Sequence, residues 1–180
     1  MKTTTLLGSI GIGLMTTSLV AWAQPPFGGE EDVTYAEALW ETMKDSNLVG
    51  EKRTMSAPYT GQHPHGAILD TIDGEISVEG TTGPVIVKRN YGGDGVSMEA
   101  VWNDPDQYLV AVTIMFQREG YDPDNNDWFW AKYLPDGSLD TNPEGRPLAG
   151  RVAKGMEQGC IACHSTASGD DLVFGHDRFQ

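Results

Sequence analysis

Two cysteines and a histidine set within five residues, Cys160-Ile161-Ala162-Cys163-His164, carry the clearest chemistry in this 180-residue chain. Cys-x-x-Cys-His is the attachment signature of c-type haem. Each thiolate adds to one vinyl group of the porphyrin, and two intervening residues let both sulfurs reach the same porphyrin edge. The histidine after the second cysteine is then held beneath the iron, where a ring nitrogen serves as proximal ligand. Two other chemistries use cysteine pairs. A redox-active disulfide of this spacing sits at a helix N-terminus in a βαβ setting, whereas this pair reads as closing a helix. A zinc site needs a further ligand pair at clear spacing, and the remaining histidines are His63, His65 and His176. One covalent haem c is therefore expected, bound by Cys160 and Cys163, with His164 as proximal ligand.

The far side of the iron is open in this reading. A simple electron carrier brings a Met or His there, and the candidates are Met98, Met115, Met156, His63, His65 and His176. Met98 and Met115 lie in strand-like runs where a core role is the ordinary outcome. In His63-Pro64-His65 two imidazoles lie two residues apart at a strand entrance, where an exposed or backbone-bonded histidine is the commoner arrangement. An unligated distal position would favour ligand binding or catalysis over electron transfer alone. The acidic stretch Asp122 to Asp127 lacks the sixth-position glycine of a calcium loop, and Tyr133 stands where the twelfth-position glutamate belongs, so it reads as a polar turn. Trp128, Phe129 and Trp130, with Tyr121 and Tyr133, alternate across a strand and suit a sheet core or the wall of a haem pocket.

These residues need a scaffold. Tyr35, Leu39, Trp40 and Met43 recur at helical spacing, which predicts an amphipathic helix over 34–47 with Thr34 as cap, after a loose Pro-, Gly- and acid-rich stretch at 24–33. Short β-branched or aromatic runs come next at 66–72, 75–79, 84–91, 95–102, 107–117 and 126–134. Asp73-Gly74, Thr82-Gly83-Pro84, Gly92 to Gly95 and Pro135-Asp136-Gly137 punctuate them as turns. Such close spacing favours an antiparallel meander. A second helix is expected over 147–162. The fold class is α+β, a mostly antiparallel sheet with few helices and a C-terminal haem-bearing segment.

Lys2 and the apolar run from Leu6 to Val20, closed by Ala21-Trp22-Ala23, have the form of a secretory leader over 1–23. The run is about 15 residues, short of the roughly 20 that span a bilayer. The remainder of the chain reads as one domain, with a tail and helix at 24–57 joined to a haem-bearing part at 58–180. Net charge is −14, and loss of Lys2 takes it to −15. Such a surface repels phosphate backbones and anionic headgroups, so nucleic acid and membrane are poor partners, while a basic redox protein is attracted.

Gly83-Pro84-Val85-Ile86-Val87-Lys88, then Gly120-Tyr121-Asp122-Pro123, then Asp127-Trp128-Phe129-Trp130-Ala131-Lys132, then Cys160 to His164 and Asp171-Leu172-Val173-Phe174 occur in an order that resembles the cytochrome P-460 family, over roughly 58–175. The resemblance implies one c-haem against an antiparallel sheet, usually in a homodimer. Lys88 matches the strand lysine that hydroxylamine-oxidising members bond to the porphyrin. It further implies redox chemistry on hydroxylamine or nitrogen oxides at an open distal site, with a distal carboxylate as base, of which Glu79 and Glu99 are candidates, and electrons passed to a soluble acceptor. The related cytochrome c′-beta proteins bind nitric oxide without that catalysis, and plain electron transfer is the other alternative. The leader implies a periplasmic location. The mature chain should begin at Gln24, which N-terminal sequencing of exported protein checks.

Overall fold

The computed structural model describes residues 26–175; the expected leader and His176 lie outside them. Helix α1, Glu30–Asp45, begins four residues before the expected start. Its N-cap is Gly29 in extended backbone, with no side-chain cap, and Thr34 lies inside the helix. The acidic run that reads as a loose tail is what favours this start, because Glu30, Glu31 and Asp32 occupy the first turn, facing the positive end of the helix dipole. Tyr35, Ala36, Leu39, Trp40 and Met43 form the buried stripe. Full burial of a side chain such as Leu39 or Met43 contributes about 1.5–3 kcal/mol each.

That stripe covers one face of a six-stranded sheet. The strands are β1 (Tyr59–Thr60), β2 (Ile68–Val78), β3 (Thr81–Tyr91), β4 (Leu109–Gln117), β5 (Trp128–Tyr133) and β6 (Ala149–Gly150). They lie in chain order, every neighbour antiparallel, so the fold is α+β and mostly sheet, as expected. The two runs at 66–72 and 75–79 are one strand. Asp73-Gly74 lies mid-ladder opposite Ile86 and Val85, and the actual turn is Glu79-Gly80, both at positive φ as a two-residue type I′ connection requires. Thr82-Gly83-Pro84 is likewise strand. Pro84 precedes Val85, where pairing with β4 begins, so its missing N–H takes nothing from that ladder.

Two further expectations are overturned. Residues 95–102 hold no strand; helix α2, Met98–Asn103, starts where Ser97 Oγ accepts from the Ala100 N–H at 3.1 Å. A four-residue helix α3, Pro105–Tyr108, comes directly after it, capped by Asp104. The expected helix over 147–162 is instead β6, a run of turns, and helix α4, Cys160–His164. Gly150 sits at φ +96, and a Cβ there would fall 2.4 Å from the Asp32 carboxylate, so chain and α1 approach as only glycine permits.

Alternation along the strands sorts side chains onto two faces. Val85, Val87, Phe116, Phe129 and Tyr133 lie under α1, while Ile86, Met115, Trp128 and Trp130 pack with Phe27, Val152 and Ile161 on the other face. Register between β2 and β3 sets Asp70 opposite Arg89, both fully buried. The guanidinium donates from Nε to Oδ2 at 2.9 Å and from Nη2 to Oδ1 at 2.5 Å, and its Nη1 donates to the Leu48 carbonyl at 2.9 Å. The Tyr91 hydroxyl donates to Asp70 Oδ2 at 2.7 Å. Removing one partner strands a buried charge. Asp70→Ala should therefore destabilise the protein by about 3–5 kcal/mol in urea unfolding, and a loss under about 1 kcal/mol would mean the pair behaves as a surface pair.

Candidate functional site

Cysteine and histidine meet on a single helical turn. In α4, Cys160, Cys163 and His164 stand at i, i+3 and i+4, neighbours on one helix side. Ile161, also buried, anchors the turn in the cluster with Met115, Trp128 and Trp130. The pair opens a helix rather than closing one, contrary to expectation, so helix position does not separate haem attachment from a redox disulfide. Two other features do. No βαβ unit is present among the described residues, and burial pushes the Cys160 thiol up to about 11. Cysteines tuned for disulfide exchange are shifted the other way. Cys163 is exposed, Cys160 is half-buried, and both are free thiols.

The imidazole of His164 is oriented by the backbone. Its Nδ1 lies 2.7 Å from the Leu172 carbonyl oxygen, which can only accept, so Nδ1 carries the proton and Nε2 keeps its lone pair. Burial holds the ring's pKa below the usual histidine value, so it is neutral and competent as a metal ligand. An N–H tied to a carbonyl is the arrangement that fixes the tautomer of metal-bound histidines. The Leu172 carbonyl is itself positioned, because Trp128 Nε1 donates to the Asp171 carbonyl at 2.8 Å. Around His164 stand Trp130 at 4.8 Å, Phe174 at 5.3 Å and His65 at 6.3 Å between ring centres.

From the sheet, Lys88 and Asn90 project to the same face as Ile86. Asn90 Nδ2 donates to the carbonyls of Lys88 and Ala111, each at 3.2 Å, and to Thr113 Oγ1 at 3.3 Å. Its Oδ1 is left to accept from His65 Nδ1 at 3.0 Å. His65 is therefore the Nδ1–H tautomer as well. Burial first, and the Lys88 ammonium second, push its pKa down to about 4. The same ammonium lowers His164, after burial, so Lys88 is close to both rings.

The other expected candidates lie elsewhere. Met98 and Met156 are exposed, Met115 is a core residue beneath the two tryptophans, and His63 is exposed. Glu79 is exposed in the β2–β3 turn, where its charge acts on Tyr35 beneath α1, and Glu99 is exposed in the first turn of α2. Of the distal-ligand candidates, His65 is the one in ring contact with His164. The aromatic run divides: Trp128 and Trp130 wall the His164 side, while Phe129 and Tyr133 join the α1 core. Asp122 is buried and holds the segment leading to Cys160 through Lys154 Nζ, with Arg151 Nε at 3.9 Å. Asn90, Trp128 and the Leu172 carbonyl act as positioning groups that no sequence motif singles out. Asn90 could have been found two residues beyond Lys88 on the same strand face.

The profile of the Cytochrome P460 family matches residues 41–175. The chain belongs to the cytochrome P460 family. No curated protein and no solved structure matches it. Membership of the P460 family makes this a haem cytochrome, and the residues present fit the group. His164 offers an Nε2 lone pair, and the indole Nε1–H of the adjacent Trp130 is buried without a hydrogen-bond partner, a donor that a haem substituent would satisfy. Trp128→Phe should destabilise the protein by about 1 kcal/mol. Amide exchange should quicken at 171–174 and stay slow in β3 and β4; unchanged exchange at 171–174 would show that the indole does not secure this segment.

Proposed function

We propose that this P460-family protein is an exported, periplasmic c-type cytochrome that carries out redox chemistry on hydroxylamine or a related nitrogen oxide. Cys160 and Cys163 tether one haem c through thioethers, and His164 Nε2 is its proximal ligand. When bound, the haem supplies a one-electron couple and a Lewis-acidic metal. The chain does the rest. Trp130 and Phe174 exclude water from the His164 side, the Leu172 carbonyl keeps the imidazole in the ligating tautomer, and Lys88 presents a positive charge beside the site. The single observation that carries this reading is the convergence of a sheet lysine, Lys88, on the same space as the tautomer-fixed His164.

Lys88 also supplies a further covalent link to the porphyrin in this reading. Electrons leave to a soluble acceptor, and the net charge of −14 selects a basic one at low salt. A homodimer completes the assembly, with no nucleic-acid or membrane partner. No helix among the described residues is long and apolar enough to cross a membrane. Simple electron transfer is the second reading, favoured by the short distance between His65 and His164.

Protein matured with export and haem-ligation machinery should retain its porphyrin through acid–acetone extraction, and Cys160→Ala/Cys163→Ala should release it. Hydroxylamine should reduce a supplied acceptor, and Lys88→Ala should change the ferrous absorption spectrum. Extractable haem in the wild type defeats the covalent attachment. An unreactive holoprotein defeats the substrate, and an unchanged Lys88→Ala spectrum defeats the cross-link.

A further inference from the structure

We infer that His65 is the second axial ligand of the haem iron in the resting protein, so that a small nitrogenous ligand reaches the metal only by displacing it. This rests on the reading that haem is held at His164. It adds a regulated sixth position to that site.

Distance decides between ligand and bystander. Two imidazole nitrogens bound to one metal at roughly 2.0–2.1 Å each lie about 4 Å apart, which sets the ring centres about 6 Å apart once the two ring half-widths are added. The centres of His65 and His164 are 6.3 Å apart, with planes at 88°. A histidine acting only as distal base must leave room for a bound ligand and a hydrogen bond of about 2.9 Å, and its ring centre would stand about 9 Å from that of the proximal histidine. The observed separation matches the first arrangement and is too short for the second.

Proton placement agrees. Each ring spends its Nδ1–H on a neutral acceptor, His164 on the Leu172 carbonyl and His65 on Asn90 Oδ1, leaving Nε2 unprotonated on both. Asn90 cannot turn its amide over, because Nδ2 already faces the carbonyl oxygens of Lys88 and Ala111. His65 is held from two directions. Asn90 fixes the ring, and the loop carrying it is closed by Gly61 N–H to the Ala67 carbonyl at 2.8 Å and His65 N–H to the Gln62 carbonyl at 2.9 Å. Displacing the ring breaks no strand pairing, since residues 61–67 lie between β1 and β2.

Absorption and electron paramagnetic resonance of the full holoprotein test this. Wild type should be low-spin in both oxidation states, with sharp ferrous α and β bands. His65→Ala should become high-spin, and added imidazole should restore the low-spin spectrum, which a merely misfolded variant would not show. Nitric oxide binding to ferrous wild type should reach a rate ceiling set by His65 release, and that ceiling should vanish in His65→Ala. Asn90→Ala, which leaves the imidazole present, should raise the ceiling. A high-spin wild type overturns the inference while leaving the proposed substrate chemistry standing. A low-spin signal that survives His65→Ala also overturns it, and its loss in Lys88→Ala would give the position to the lysine. Low-spin protein that is inert to hydroxylamine sinks the substrate and spares the ligand.

Discussion

A buried carboxylate and guanidinium, paired across β2 and β3, decide which way half of the sheet's side chains point. Asp70 and Arg89 are opposed in the ladder and fully enclosed, so slipping the register by one residue would separate them and leave two charges without partners. With Arg89 committed to the α1 face, Lys88 and Asn90 must face the other way. The site inherits its geometry from that alternation. The pair itself takes no part in the chemistry, but it settles the face from which chemistry is possible.

Neutral groups do the positioning on that opposite face. A backbone carbonyl orients His164 and an amide oxygen orients His65, so neither imidazole faces a carboxylate that would draw it towards the charged form. Lys88 acts in the same sense, opposing protonation of both rings. A pair of rings kept neutral by their surroundings is suited to soft metal ligation, and membership of the P460 family supplies the metal group that such rings would hold.

The fold class was legible because close-spaced β-branched runs have few alternatives to a meander. Boundaries were less so. Asp73-Gly74 has turn composition but sits inside an 11-residue strand, since pairing on both sides of β2 and β3 outweighs local preference. Ser97 capped a helix within a stretch whose Val96, Val101 and Trp102 suggested a strand. The haem-bearing segment misled in the other direction: apolar residues at helical spacing from Leu148 onward are served by β6 and turns, because Gly150 and Gly155 at positive φ break the helix. At the site, Cys160, Cys163 and His164 were legible from spacing alone. His65 was visible only as one of six equivalent candidates, because what distinguishes it is contact across the fold, with Asn90 and His164, and no local pattern encodes that.

The half-buried thiol of Cys160 bears on the order of events in the protein's life. Residues leading to it are fastened by Asp122 to Lys154, and residues after it by Trp128 to the Asp171 carbonyl, so both fastenings spring from the short connection between β4 and β5. Once that connection closes, a sulfur whose pKa is near 11 is a poor nucleophile at neutral pH and an awkward target for a maturation enzyme. A chain that receives porphyrin covalently at this position must do so while the strap is still loose, which makes haem insertion a step on the folding route and the finished domain a record of its having occurred.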